Sequence, residues 1–134
     1  MIALPEHAIT FPALVQAKID FASAMLKNEG LSSIPADYTA FLLQTDGAIA
    51  GDTEFYGCEP QTRKSYKYPS LLGANTGLVK AKNPFALGNL LVGSCMGSAL
   101  FYEPAHGLYV LRSRFSFAPA ATFASLTQAI TALC

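Results

Sequence analysis

Tryptophan is absent from this sequence, and histidine occurs only twice, at His7 and His106. Cysteine is scarce as well: Cys58, Cys95 and Cys134 are odd in number, far apart and never paired as C-x-x-C. That pattern excludes a disulfide framework and a cysteine zinc site, and it points to a reducing compartment. There is no G-x-x-x-x-G-K-[ST] phosphate loop, no G-x-G-x-x-G after a strand and no G-x-S-x-G elbow. Charge is thin, at 13% of residues, and nine basic residues against nine acidic ones leave a formal net charge of zero. A chain so balanced exerts no long-range pull on nucleic acid or an anionic membrane. It also lacks the like-charge repulsion that keeps copies apart, so weak self-association is expected. No apolar run approaches the roughly 20 residues that span a bilayer. The N-terminus has neither the basic stretch nor the long apolar run of a signal peptide, so the cytoplasm is the expected location.

What remains is a chain of 134 residues, 51% of them apolar, long enough for one domain over 1–134 with a substantial core. Two N-terminal helices are expected. The first spans 11–28: Thr10 is placed to cap it, Pro12 is tolerated in its opening turn, and Ile9 and Leu14 have the spacing of a hydrophobic staple. Phe11, Leu14, Val15, Ile19, Phe21, Ala22, Met25 and Leu26 fall on one arc of that helix, and Gly30 ends it. Lys18 interrupts the arc. Either its ammonium reaches out past an apolar stem, or it is paired in the interior or against a partner.

The second helix covers 35–45. Pro35 suits its first position, Asp37 complements its dipole, and Tyr38, Phe41, Leu42 and Thr45 repeat at i, i+3, i+4, i+7. Gly47 is positioned to turn left-handed at its end. Thr53 and Phe55 then alternate with Glu54 and Tyr56, the period of a half-buried strand. Arg63, Lys64, Tyr66, Lys67 and Tyr68 read as a basic, aromatic loop. After it, Pro69 can open a helix carrying Leu71, Leu72, Leu78 and Val79, which Gly73 and Gly77 weaken. Short apolar runs at 89–95, 98–103 and 107–112, separated by turn residues, predict an antiparallel three-strand meander. Phe123, Leu126, Ile130 and Leu133 predict a closing helix over 122–132 capped by Thr122. The fold class is therefore α+β: an antiparallel sheet flanked by N-terminal and C-terminal helices.

Chemistry-bearing residues are few. Cys58 or Cys95 could pair with His106 as nucleophile and base, but inert, buried cysteine is the plainer reading. Asp46, Asp52, Glu54 and Glu59 gather around the helix–strand junction. They could solvate a loop and strand face, or ligate a hard cation, although the spacing is not that of a calcium loop. They could also form an acidic patch for a basic protein. The 63–68 segment interleaves cations and tyrosines as nucleic-acid loops do. Zero net charge and the lack of a second basic stripe beyond Arg112 and Arg114 favour a solvated loop instead. No cofactor and no metal are expected.

The stretch from Leu31 to Gly57 resembles the signature of the SUKH superfamily. The resembling elements are Leu31–Pro35, the Tyr38 and Phe41-Leu42-Leu43 core, Asp46-Gly47, and Phe55-Tyr56-Gly57. A later block is similar too: Leu90-Leu91-Val92-Gly93, Gly97, Leu100-Phe101-Tyr102-Glu103 and Gly107-Leu108-Tyr109-Val110-Leu111, with a tail around Phe123 and Leu126. Ser98 follows Gly97 where family members often carry an acid. The superfamily includes a yeast regulator of cell-wall glucan synthesis and many bacterial immunity proteins. The resemblance implies a binding protein without enzymatic activity, most often an immunity protein that masks a cognate toxin such as a nuclease; a regulatory scaffold is the alternative, and a small enzyme the remote one. The expected partner-binding surface is Asp46, Asp52, Glu54 and Glu59 with Tyr56, Tyr102 and Glu103, facing a toxin with a basic surface. Nucleic acid and membrane are not expected as partners.

Overall fold

The computed structural model describes residues 2–134. In chain order they form β1 (Ile9–Thr10), α1 (Gln16–Asn28), α2 (Ala36–Gln44), β2 (Ala48–Ala50), β3 (Thr53–Phe55), β4 (Gln61–Arg63), β5 (Tyr66–Tyr68), α3 (Leu71–Lys80), β6 (Leu90–Cys95), β7 (Ser98–Glu103), β8 (Leu108–Arg112), β9 (Pro119–Phe123) and α4 (Leu126–Leu133). Seven strands make one sheet in the order β1-β2-β3-β6-β7-β8-β9, while β4 and β5 form a separate hairpin. All neighbouring strands are antiparallel. With helices towards both ends of the chain, the architecture is the expected α+β. Among the described residues, no helix is long and apolar enough to cross a membrane.

The first helix is shorter than its periodicity predicts. Residues 11–15 are irregular chain joined to the end of α2, because backbone groups there have better partners than a helical turn offers. Phe11 N–H donates to the Thr45 hydroxyl at 2.9 Å, Leu14 N–H to the Leu42 carbonyl at 3.1 Å, and Asp46 N–H to the Pro12 carbonyl at 3.2 Å. Thr10 thus lies in β1 instead of capping α1, and Phe11 stays partly exposed. Within α1, Ile19 and Leu26 are buried, whereas Phe21 points outward at 70% exposure. Lys18 is exposed too, with its ammonium 3.8 Å from the Glu59 carboxylate. Its ammonium reaches solvent past an apolar stem, and pairing in the interior is ruled out.

α2 begins one residue later than expected, after Pro35, and buries Tyr38, Phe41 and Leu42. Thr45 ends it by turning extended at φ −155°, and its hydroxyl donates to the Gly47 carbonyl at 2.6 Å. Gly47 does take the left-handed conformation, at φ +85°, but past the helix end, at the crossing into β2. A Cβ there would sit 2.7 Å from the Phe55 carbonyl and 2.8 Å from Gly57 N, so glycine is required by space as well as by dihedral angle.

The meander appears as predicted in β6, β7 and β8, but β9 extends it where a helix start was expected. α4 therefore starts at Leu126, and Ser125 caps it by accepting from Gln128 N–H at 3.2 Å. The buried core joins Tyr38, Phe41 and Leu42 to Leu26, Phe55, Leu100, Tyr109 and Leu126. Two polar side chains tie the layers together. The Tyr38 hydroxyl reaches the carbonyls of Tyr56 at 2.6 Å and Val92 at 3.0 Å. Asp37, in the first turn of α2, accepts from the Tyr109 hydroxyl at 2.6 Å and from Leu126 N–H at 2.8 Å, joining α2 to β8 and α4.

Candidate functional site

The acids expected on one surface are divided by the fold between interior and exterior. Asp46 is buried at 3% exposure. It accepts from Cys58 N–H at 2.6 Å and from the Gln61 side-chain amide at 3.0 Å, fastening the chain after β3 and the start of β4 to the end of α2. Burial raises its pKa, and the hydrogen bonds from the Cys58 and Glu59 backbone work against that rise. Glu103 is likewise interior. Its carboxylate takes Arg112 in two hydrogen bonds, at 2.8 and 3.0 Å, while the same guanidinium donates to the Phe117 carbonyl and lies 4.0 Å over the Phe85 ring. Tyr56 is buried, and its hydroxyl pKa is raised by burial and by Glu54, with Ser94 and Arg114 opposing. These three residues hold the fold together and are not available as an outward acidic face. Tyr102 is half-buried, its ring 5.2 Å from that of Tyr109.

Glu59 is exposed but turned towards Lys18, beside α1. That leaves Asp52 and Glu54, which the structure does bring together. The β2–β3 turn is Gly51-Asp52, with Gly51 at φ +62°, and Asp52 is exposed on it. Pairing places Glu54 opposite Ile49 on β2 and Ser94 on β6, so these three side chains share one face of the sheet. Gly93 is part of that geometry: a Cβ there would run into the Glu54 carbonyl, and glycine lets β3 and β6 approach where β6 shifts register.

The β4–β5 hairpin borders this face and closes a cleft of about 260 Å³ lined by Asp52, Glu54, Ser94, Tyr66 and Tyr68. Tyr66 and Tyr68 lie two apart on β5, with ring centroids 4.8 Å apart and planes tilted by 46°. Tyr66 is 63% exposed. Glu54 lines the same cleft, and its Oε1 is enclosed with no hydrogen-bond partner, the one such side-chain atom among the described residues. Desolvation by burial raises the Glu54 pKa accordingly. Carboxylates beside exposed tyrosine faces attract a cation, by charge and by the negative face of the rings. The 63–68 segment reads as a basic, aromatic loop, whereas the structure forms a hairpin that sets Tyr66 and Tyr68 on one strand beside the acids. Their spacing of two was the available signal, since alternate residues of a strand share a face.

Nothing in the cleft resembles an activated nucleophile. Cys58 lies outside it, and burial together with Asp46 and Glu59 pushes its thiol up to about 12, so it stays protonated. His106 lies in the β7–β8 turn, at the opposite end of the meander from Cys95. Among the described residues no three His, Cys, Asp or Glu side chains cluster closely enough to hold a metal ion. No protein-family model matches this chain, and neither does any curated protein.

Proposed function

We propose that this chain is a non-enzymatic protein-binding domain of the SUKH kind, an immunity protein that masks a cognate bacterial toxin with a basic surface in the cytoplasm. The observation that carries the binding reading is the Glu54 carboxylate, held half-desolvated with one oxygen unpartnered beside the Tyr66–Tyr68 pair. An arginine or lysine of the partner, seated in the cleft between Asp52 and the tyrosine rings, would bring positive charge up to the Glu54 carboxylate from its open side, and the tyrosines would give rigid contact area of the type that dominates interface energetics. Asp52, on the exposed turn, would add to the attraction that steers a basic partner in. The immunity role rests on the resemblance of the 31–57 and 90–111 segments.

The test is a binding titration against the toxin encoded immediately upstream of this chain's gene, across a salt series. Wild type should bind in a salt-dependent way, and Asp52→Lys with Glu54→Lys should weaken binding at least tenfold and flatten the salt dependence. Equal affinity and equal salt slope for the two proteins would remove the cleft from the interface. A neighbourhood with no toxin gene would count against immunity itself.

A further inference from the structure

A second surface stands apart from the Glu54 cleft. α1 turns Ala17, Phe21 and Met25 towards solvent beside Leu72 of α3 and Cys58, and together they line a groove of about 390 Å³. Ala22 completes its wall. Ile19 and Leu26 fix the inward face of α1, and at 100° per residue that sets Phe21 on the outside. No packing within the chain accounts for a phenylalanine 70% exposed at this position. The protonated Cys58 thiol leaves the groove floor uncharged.

The rim carries one charge of each sign, Lys18 and Glu59, 3.8 Å apart and both more than half exposed. Within one chain such an exposed pair contributes little. Opposed across a two-fold axis it becomes self-complementary, because each lysine can face the other copy's glutamate. The same surface also holds both a protruding ring and an apolar groove to receive one, which an isologous interface requires. With a net charge of zero, two copies meet no overall repulsion.

We infer that this α1 groove is a homodimer interface, in which Phe21 of each copy seats against the groove of the other and Lys18 pairs with the second copy's Glu59. The two-fold arrangement makes a specific demand. In Lys18→Glu both trans pairs become glutamate against glutamate, and in Glu59→Lys both become lysine against lysine. In an equimolar mixture of the two variants, every trans pair between unlike chains is again attractive.

Sedimentation velocity over a dilution series from about 1 mM to about 1 µM, with reductant present to keep exposed Cys134 from cross-linking, reads this directly. Wild type should move from dimer to monomer on dilution. Phe21→Asp, Lys18→Glu and Glu59→Lys should each be monomeric throughout with unchanged circular dichroism, and mixing the last two should restore the dimer. Wild type that stays monomeric at the highest concentration would overturn the inference and leave the groove to a different protein. A dimer that persists in Phe21→Asp, or a mixture that stays monomeric, would overturn it as well.

Discussion

A carboxylate oxygen enclosed without a donor loses the hydration it had in the unfolded chain, and at Glu54 nothing in the fold replaces that water. Burial raises the Glu54 pKa above its ordinary 4.5, so folding favours the protonated form. The sign follows by linkage: the stability this group contributes is complete below the unfolded value and is lost as pH rises through the raised folded one. Asp46 shifts in the same direction from 3.8. Glu54→Gln removes the titration at one site. It should raise the urea midpoint at pH 7, by about 1 kcal/mol of stability, and the advantage should vanish at about pH 3. An advantage of equal size at both pH values would mean that the Glu54 charge is not its source. Asp46 and Glu103 show why residue type alone misleads about acids, since an exposed and a bonded carboxylate look the same in a sequence. Asp46 did offer a clue. An acid at the carboxyl end of a helix sits in an unfavourable field, and it is tolerated there because Cys58 N–H and Gln61 donate to it.

Elements were legible where periodicity was long and local. The faces of α2 and α4, and the strands β6, β7 and β8, follow from apolar spacing. β1 and β2 did not emerge because they are two and three residues long, and their pairing depends on chain brought from far away. β9 was hidden by Pro119, Ala120 and Ala121, which carry little strand preference, and it forms by pairing with β8. α3 forms despite Gly73 and Gly77, capped by Ser70 and not opened by Pro69, and the residue that anchors it carries no signal in the sequence. Asn75 is fully buried in that helix. Its side chain donates to the Leu91 carbonyl at 2.8 Å and accepts from Leu91 N–H at 2.7 Å, taking the place of a neighbouring strand where β3 leaves β6. Asn75→Ala would strand two buried backbone groups, so a loss of about 3 kcal/mol is expected in urea unfolding, with faster hydrogen exchange at the Leu91 amide. A loss below about 1 kcal/mol would mean that water reaches Leu91 and that α3 is held by apolar contact alone.

At the scale of the whole molecule, the sheet is assembled from two stretches of chain. β6 to β9 are consecutive neighbours joined by short connections, whereas β1 to β3 reach them only through β3 pairing with β6. Asp37 adds a further long-range fastening, to Tyr109 and Leu126, across 72 and 89 positions of sequence. Neither partner could have been named from the sequence, where Asp37 is accounted for by the helix dipole alone. The two kinds of contact differ in when they can form. Closing a long loop costs entropy before any distant contact is gained, so the meander is placed to assemble early and the Asp37 fastening to close late. Asp37→Ala should therefore leave the refolding rate nearly unchanged and accelerate unfolding, with most of its destabilisation appearing in the unfolding arm of a chevron plot. Slowed refolding would instead place α2 in the folding nucleus. On that expectation, one carboxylate near the start of a short helix would govern how long the molecule stays folded more than how quickly it gets there.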